Sequence, residues 1–322
     1  MGHFGSIQTS RGTTAYLDKV SETLLGHSLS TSSQKTYNRA LQVFKDFVKT
    51  DESLPETFPI SHQTYLRFIA YCFIHRLASS TVATYISALG YCHKLMDLPD
   101  SSQSFLVKKC MVGYTNTLKR PDTRLPITPA MLTTLVDSVK HTCQGVYEQL
   151  LVKTMFLMAF YAFLRVGEFT ANQKQLPILL FSNIGFKYFK QGRPSSVDIT
   201  LANYKHSRGK SVTLEINERT SSLSCCPVLN LWQYCLLRGS SVGPLFVFLD
   251  NTPVSRSFFS QKLSQCLLFC KYDTAYYKGH SFRIGAATTA AELGHTEAKI
   301  QEMGRWQSSA FKKYVRIPSL RL

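Results

Sequence analysis

The sequence predicts a mainly α-helical protein with a small β-sheet, divided into two domains. Its 322 residues exceed the ~100–200 residues of a usual single domain. Apolar residues recur at helical spacing over most of the chain, whereas strand-like alternation is confined to Val197–Ala202 and Val212–Ile216. Residues 119–129 show neither pattern. We therefore predict a helical domain over residues 1–118, a linker over 119–129 and a second domain over 130–322.

The first domain is predicted to be a small helical bundle. The pattern changes from Ser30: residues 31–33 offer caps, and apolar side chains from Tyr37 to Val48 then recur on one helical face, which predicts a helix ending near Thr50. Residues 65–73 and 82–92 repeat this pattern, and residues 102–118 repeat it more weakly. Residues 1–12 are polar and are expected to form a short lead-in. Basic side chains on the polar faces either follow a DNA groove or are simply solvated: Lys35, Arg39, Arg76 and Lys94.

The predicted linker contains three prolines and three basic residues, and proline disfavours a helix there. Helical spacing resumes near Pro129–Lys140 and at Tyr147–Glu168. The second of these segments is apolar nearly all round, so it is expected at the centre of the second core. The two strand-like segments follow, with a turn at Arg208-Gly209 between them. Helical patterns then continue from Leu229 toward the end of the chain.

Composition narrows the class of partner. The chain has 37 Lys and Arg against 20 Asp and Glu, a net charge of +17. Residues 1–120 carry 13 basic and 8 acidic side chains (+5), and residues 121–322 carry 24 and 12 (+12). This excess favours a polyanionic partner contacted mainly by the second half, although a basic charge also occurs in proteins that merely stay soluble.

The cysteines and the apolar runs exclude other classes. Nine cysteines, an odd number without a C-x-x-C pair, fit neither a disulfide framework nor a zinc ribbon, so reduced thiols are expected. Met1–Ser10 lacks the pattern of a signal peptide. The longest apolar run, Met155–Leu164, is too short to span a bilayer.

Charged and polar residues that interrupt apolar helices are the candidates for chemistry. Arg165 and Glu168 are three residues apart and are expected to pair on one side of a helix, either as a structural ion pair or as part of a site. His280 and Arg283 repeat this spacing. Trp306 and Tyr314 follow, and we expect both on one terminal helix. Each residue alone is a weak signal, but their order and spacing together are informative.

In these residues the sequence resembles the tyrosine recombinases, and Gly279–Thr288 and Gly304–Ser309 look most like the eukaryotic transposon branch of DIRS-like, Ngaro and Crypton elements. The resemblance implies a helical core-binding (SAM-like) bundle followed by a catalytic domain. It also implies a set of catalytic residues, carried over position by position: Arg165, Lys205, His280, Arg283, Trp306 and Tyr314.

The resemblance implies a role for each of these residues. Tyr314 becomes the nucleophile, Arg165 and Arg283 hold the phosphate oxygens, and Trp306 donates its indole N–H to the same phosphate. His280 orients the phosphate or helps to deprotonate Tyr314. Lys205 protonates the leaving oxygen, with Lys210 as its rival in the same loop. Glu168 is expected to support Arg165 rather than to react.

The implied function is site-specific DNA recombination through a covalent 3′-phosphotyrosyl intermediate, for integration or excision of a mobile element. That chemistry requires neither a metal nor another cofactor. The expected partners are double-stranded DNA and further copies of the chain, as a dimer or a tetramer on DNA, and the expected location is the nucleus. The candidate DNA-binding residues are Lys35, Arg39, Lys94 and Lys210. The alternatives are a domesticated DNA-binding protein without activity and a type IB topoisomerase.

Overall fold

A computed structural model describes residues 11–52, 58–118, 121–172, 179–190, 192–202, 204, 209–220 and 222–316. The chain divides into two compact units, Met1–Asp122 and Thr123–Leu322. Helices dominate both units, and one small sheet lies in the second. The prediction of a mainly α-helical chain with a small β-sheet is confirmed. No helix in the described ranges combines the length and the apolar character that crossing a bilayer requires.

The described part of the first unit is a helical bundle. Its α-helices are α1 Arg11–Gly26, α2 Thr31–Val48, α3 His62–Ile74, α4 Ser79–Leu95 and α5 Phe105–Thr117. Serines begin three of them: the hydroxyl oxygens of Ser30, Ser61 and Ser104 accept a hydrogen bond from the backbone amide three residues on. Helix α1 was not predicted. Its large apolar residues, Leu24 among them, stay exposed, so it lacks the buried stripe that a periodicity search detects.

The second unit combines helices and a three-stranded sheet. Its helices are α6 Pro129–Thr142, α7 Gly145–Tyr161, α8 Val166–Phe169, α9 Pro227–Arg238, α10 Arg256–Phe269, α11 Gly279–Glu292 and α12 Glu297–Gly304. Strands β1 Ile184–Lys190, β2 Arg193–Leu201 and β3 Val212–Asn217 form an antiparallel sheet in the order β1-β2-β3. Ile199 in the central strand lies opposite Ile184 and Leu214. Strand β1 was not predicted, since none of its described side chains is fully buried and those of Lys187, Tyr188 and Phe189 are exposed in succession.

Helix α7 lies at the centre of the second core, as its apolar sequence predicts. Its residues Leu151, Phe156 and Leu157 are fully buried, and the helix packs against α6, α9 and α11. It ends at Tyr161, seven residues earlier than expected. Phe163 adopts a left-handed backbone conformation (φ 49°) that breaks the helix, and the chain restarts as the short helix α8. Arg165 therefore begins a new helix instead of ending the central one.

The segment before α6 is non-helical and anchored to α11 and the turn that precedes it. The Leu125 amide donates to the Tyr276 carbonyl (2.9 Å), and the Ile127 amide donates to the Ser281 carbonyl (3.1 Å). Ile127 is fully buried. From Thr123 onward, this stretch therefore belongs to the compact second unit.

The end of the chain departs from the prediction. Helix α12 ends at Gly304, and Tyr314 follows a separate 3₁₀ turn, Ser309–Lys313. The expectation that Trp306 and Tyr314 share a terminal helix is therefore wrong. Arg305 adopts a left-handed conformation (φ 56°, ψ 44°) that closes α12. The Trp306 ring then packs against Gly304, where a Cβ would lie 1.6 Å from the indole.

Candidate active site

A basic cleft opens in the second unit and has a volume of about 760 Å³. Its charged and titratable lining residues include Arg124, Arg165, Glu168, Arg256, Lys278, His280 and Arg283. Glu168 is the one carboxylate among the described lining residues. Such a cleft attracts an anionic ligand.

Arg165 and Glu168 form the ion pair that their spacing predicts. Arg165 Nη1 lies 2.7 Å from Glu168 Oε1, and the Arg165 backbone amide donates to Oε2 at 2.8 Å. The Glu168 side chain is 6% exposed and that of Arg165 is 23% exposed. The carboxylate is thus a buried support, while the guanidinium reaches the cleft.

Arg305 is a buried residue of this cluster that the sequence analysis missed. Its Nη2 lies 2.8 Å from Glu168 Oε2, and its guanidinium also donates to the carbonyls of Ala162 (3.3 Å) and Phe163 (3.1 Å). The one sequence feature that could have drawn attention to Arg305 is its position directly before Trp306. Nothing in the local sequence indicates that this arginine is buried. Burial and the neighbouring Arg165 lower the pKa of Arg305, whereas Glu168 raises it.

Arg283 is almost fully buried under the cleft, with 1% of its surface exposed. Its Nη1 donates to the Phe163 carbonyl and its Nη2 to the Gly304 carbonyl (2.8 Å), while the buried Nε has no hydrogen-bond partner among the described residues. Burial, and then the charges of Arg165 and Arg305, lower the pKa of Arg283 to about 9, so it stays protonated at neutral pH. The guanidinium carries five N–H groups. Two are used by these carbonyls.

Tyr314, His280 and Trp306 meet at one place. His280 Nε2 lies 2.8 Å from the Tyr314 hydroxyl, although 34 residues separate them in sequence. The rings of Trp306 and Tyr314 have centroids 4.9 Å apart. The Arg283 guanidinium carbon lies 4.5 Å from the indole centroid and 5.9 Å from the phenol centroid. The tyrosine is therefore in direct contact with three of the other predicted site residues.

The segment that carries Tyr314 is tied to α11 by hydrogen bonds. The Thr288 hydroxyl donates to the Tyr314 carbonyl (3.2 Å) and accepts from the Arg316 amide (3.0 Å). Arg316 Nη1 also donates to the Arg124 carbonyl. Because α11 also carries His280 and Arg283, one helix positions the phenol, the imidazole and a guanidinium together.

The remaining predicted residues lie elsewhere. Lys205 lies outside the described residues, and Lys210 is exposed just before β3. Tyr204, which directly precedes Lys205, has its ring centroid 5.9 Å from the Arg305 guanidinium carbon. In the first unit, Lys35 and Arg39 are exposed on α2. Lys94 is exposed on α4, and its Nζ lies 3.7 Å from Asp100 Oδ2.

The charge of the cluster suits a phosphodiester. Arg165, Arg283 and Arg305 contribute three positive charges and Glu168 one negative charge, which leaves a net charge of +2. Preorganised positive charge in a partly buried site stabilises the negative charge that develops during phosphoryl transfer. Within the described ranges, no cluster of three or more His, Cys, Asp or Glu residues is placed to hold a metal ion.

Comparison with solved structures identifies the fold. One similar structure is that of a lambda integrase dimer bound to a COC′ core site. The match covers 98% of this chain and 83% of the integrase chain, with a TM-score of 0.59 and 11% identity. The XerH site-specific recombinase bound to palindromic difH substrate matches 89% and 77%, with a TM-score of 0.59 and 12% identity. The Tn1549 transposon integrase with transposon right end DNA matches 94% of both chains, with a TM-score of 0.57 and 11% identity.

These neighbours are tyrosine recombinases, and the chain has the tyrosine recombinase fold. The fold predicted by the resemblance is thus confirmed. No protein-family model and no curated protein matches the sequence.

Proposed function

We propose that this protein cleaves and rejoins DNA strands as a site-specific recombinase, with Tyr314 as the nucleophile. The observation that carries the proposal is the contact between the Tyr314 hydroxyl and His280 Nε2, at 2.8 Å, beside the buried Arg283 and Trp306. A tyrosine used only for packing does not need a hydroxyl held by an imidazole at the edge of a basic cleft.

The reaction consists of two transesterifications. The Tyr314 oxygen attacks the scissile phosphorus while its proton passes to His280 Nε2. The bond between phosphorus and the 5′-oxygen breaks, and this oxygen leaves with a proton. The products are a 3′-phosphotyrosyl ester and a free 5′-hydroxyl. In the second step a 5′-hydroxyl attacks the ester and gives its proton to the group that acted as general acid in the first step, while the leaving Tyr314 oxygen takes its proton back from His280. The phosphoester bond is exchanged rather than hydrolysed, so no external energy source is needed.

Two arginines and the tryptophan act on the phosphate oxygens. Arg165 presents its guanidinium to the cleft, and the buried Nε of Arg283 finds no acceptor in the part of the chain that the structure describes. A buried donor without an acceptor costs about 1–3 kcal/mol, which an incoming phosphate oxygen would offset. Planar guanidinium groups match the geometry of phosphate oxygens. Trp306 offers its indole N–H and a wall against the phenol ring.

The leaving 5′-oxygen requires a general acid. We assign this role to Lys205, with Lys210 as the alternative in the same loop. The support is chemical, because a lysine ammonium can donate a proton to an alkoxide as it leaves. Tyr204 gives a further argument, since its contact with Arg305 brings the residue directly before Lys205 to the cluster.

The partner is double-stranded DNA, bound by a dimer or tetramer of the chain. The excess of basic residues and the basic cleft support this, and the lambda integrase with a similar fold was solved as a dimer on a core site. Lys35, Arg39, Lys94 and Lys210 would contact phosphates. The resemblance of residues 279–288 and 304–309 to eukaryotic transposon recombinases further suggests integration or excision of a mobile element, in the nucleus.

A suicide DNA substrate tests the proposal, since it traps the covalent intermediate once the cleaved strand is lost. We expect a protein–DNA adduct with the wild type and none with Tyr314→Phe, which removes only the nucleophilic oxygen. Tyr276→Phe is the matched control, because Tyr276 is exposed and takes part in the anchoring of Leu125 through its backbone carbonyl alone. This variant should form the adduct at the wild-type rate.

Other outcomes separate the alternatives. An adduct that persists in Tyr314→Phe contradicts the assignment of the nucleophile. Salt-sensitive DNA binding without an adduct indicates a DNA-binding protein that has lost the reaction. Relaxation of a supercoiled plasmid that carries no element end indicates a topoisomerase.

A further inference from the structure

We propose that Arg305 is a positioning residue that keeps Arg165 available for the phosphate by sharing the carboxylate of Glu168. This inference rests on the proposed strand cleavage and deepens it. It assigns a role to a residue that does not itself line the cleft.

The burial of Arg305 argues against a role in packing alone. Its side chain is 2% exposed, and its only carboxylate contact among the described residues is the 2.8 Å ion pair with Glu168. Taking a guanidinium and a carboxylate out of water carries a large desolvation penalty, and apolar side chains often fill such space at no loss of stability. A buried pair beside a reactive site therefore indicates a requirement for the charge itself.

The backbone of Arg305 strengthens this argument. Arg305 ends α12 in the left-handed region, where glycine is the residue that avoids strain. Phe163, whose carbonyl accepts from both Arg305 and Arg283, is also left-handed. Non-glycine residues in this region persist only where surrounding contacts hold them. An arginine thus occupies a position whose backbone conformation suits a glycine.

The division of the Glu168 oxygens explains what Arg305 does. Oε2 accepts from Arg305 Nη2 and from the Arg165 backbone amide, each at 2.8 Å, so the Arg165 side chain is left with Oε1. One guanidinium nitrogen of Arg165, Nη1, therefore donates to Glu168, and the other N–H groups of this guanidinium can face the cleft. Without Arg305, the Arg165 guanidinium would be the one cationic group hydrogen-bonded to this carboxylate among the described residues. A bidentate pair would then form, and it would withdraw the fork and its charge from the phosphate.

Single-turnover adduct formation on the suicide substrate, at saturating protein, tests this role. Arg305→Met should slow the adduct by about 10- to 100-fold, on the order of the loss expected when one charge-assisted hydrogen bond that supports the site is removed. Affinity for DNA should change by less than about threefold, because the Arg305 side chain is buried and does not line the cleft. Arg305→Lys should restore part of the rate, since it supplies the charge without the planar fork.

A second substitution distinguishes a positioning role of Arg305 from a purely structural one. In Arg305→Met/Glu168→Gln the competing carboxylate is gone, so we expect the adduct to form at least about fivefold faster than in Arg305→Met. Arg238→Met is the matched control: Arg238 is also buried in the second unit, but among the described residues its guanidinium donates to backbone carbonyls outside the cleft and lies over the Phe181 ring. It should lower the unfolding midpoint and leave the adduct rate unchanged.

The outcomes are distinct. An adduct rate in Arg305→Met equal to wild type, or a double variant no faster than Arg305→Met, overturns the positioning role. If the wild type forms no adduct, the proposed function fails. In that case the unfolding midpoints of the same variants still test whether Arg305 and Glu168 interact. If the losses of stability from the two substitutions are fully additive, the two residues do not act through each other.

Discussion

At the scale of single residues, the contact between His280 and Tyr314 is central to the proposed chemistry. A phenol is a weak nucleophile at neutral pH, and a base within hydrogen-bond distance removes its proton as it attacks. His280 Nε2 is at that distance. Arg283 stands beside the same phenol, so the anion that forms during attack has a positive neighbour.

Replacing His280 should therefore slow cleavage without preventing it. We expect His280→Gln to reduce the single-turnover rate of adduct formation by about 10²- to 10⁴-fold, the usual contribution of a general base. Glutamine keeps a polar side chain but cannot take up the proton. His295→Gln is the control, since His295 is exposed near the end of the same helix and should leave the rate unchanged. An unchanged rate in His280→Gln would show that the phenol loses its proton by another route.

At the scale of elements, α11 organises the second unit. It carries His280 and Arg283 one turn apart, and Thr288 on it holds the Tyr314 segment. Its Gly285 lies directly against the extended segment before α6: a Cβ there would lie 1.9 Å from the Ile127 carbonyl oxygen. That contact involves backbone on both sides, so no side-chain rotation can relieve it.

Gly285→Ala should consequently destabilise the second unit by about 1–3 kcal/mol, the usual cost of overpacking a core. Both tryptophans, Trp232 and Trp306, lie in this unit, so their fluorescence during urea unfolding reports on it alone. Gly167→Ala is the control for stability, because a Cβ at Gly167 meets nothing within 4 Å. Equal unfolding midpoints for the two variants would contradict the close contact between α11 and Ile127.

At the scale of the whole molecule, the net charge of +17 bears on the proposed binding of DNA. Phosphate contacts release counterions, so the logarithm of affinity falls linearly with the logarithm of salt concentration. Contacts of this kind position a protein without reading sequence. Lys35 and Arg39 lie four residues apart on α2 and so share one exposed face of the first unit.

The double variant Lys35→Gln/Arg39→Gln should lower affinity for any duplex sequence and reduce the salt slope by about 2, close to 0.9 for each lost phosphate contact. The rate of adduct formation at saturating protein should stay at the wild-type value. Lys299→Gln is the control, since Lys299 already pairs with Glu302 at 3.0 Å. Fluorescence anisotropy over a series of salt concentrations measures the slopes. Equal slopes for the double variant and the wild type would remove α2 from the DNA interface.

Local patterns in the chain were enough to predict much of this molecule. Helical periodicity predicts α2, α3, α4 and α7, because a helix that buries one face repeats its apolar residues every three to four positions. The pairing of Arg165 with Glu168 follows from spacing in the same way. The order of Arg165, His280, Arg283, Trp306 and Tyr314 was sufficient to indicate the fold that the solved structures share.

Long-range packing decided the rest. Helix α7 ends at Tyr161 and α12 at Gly304 because Phe163 and Arg305 adopt left-handed conformations, which neither residue type favours on its own. Arg305 lies 137 residues from Glu168, and its burial depends on the packing between α12 and the loop after α7. A side chain's local sequence limits the backbone it prefers, but its partners and its exclusion from water depend on which distant elements close around it.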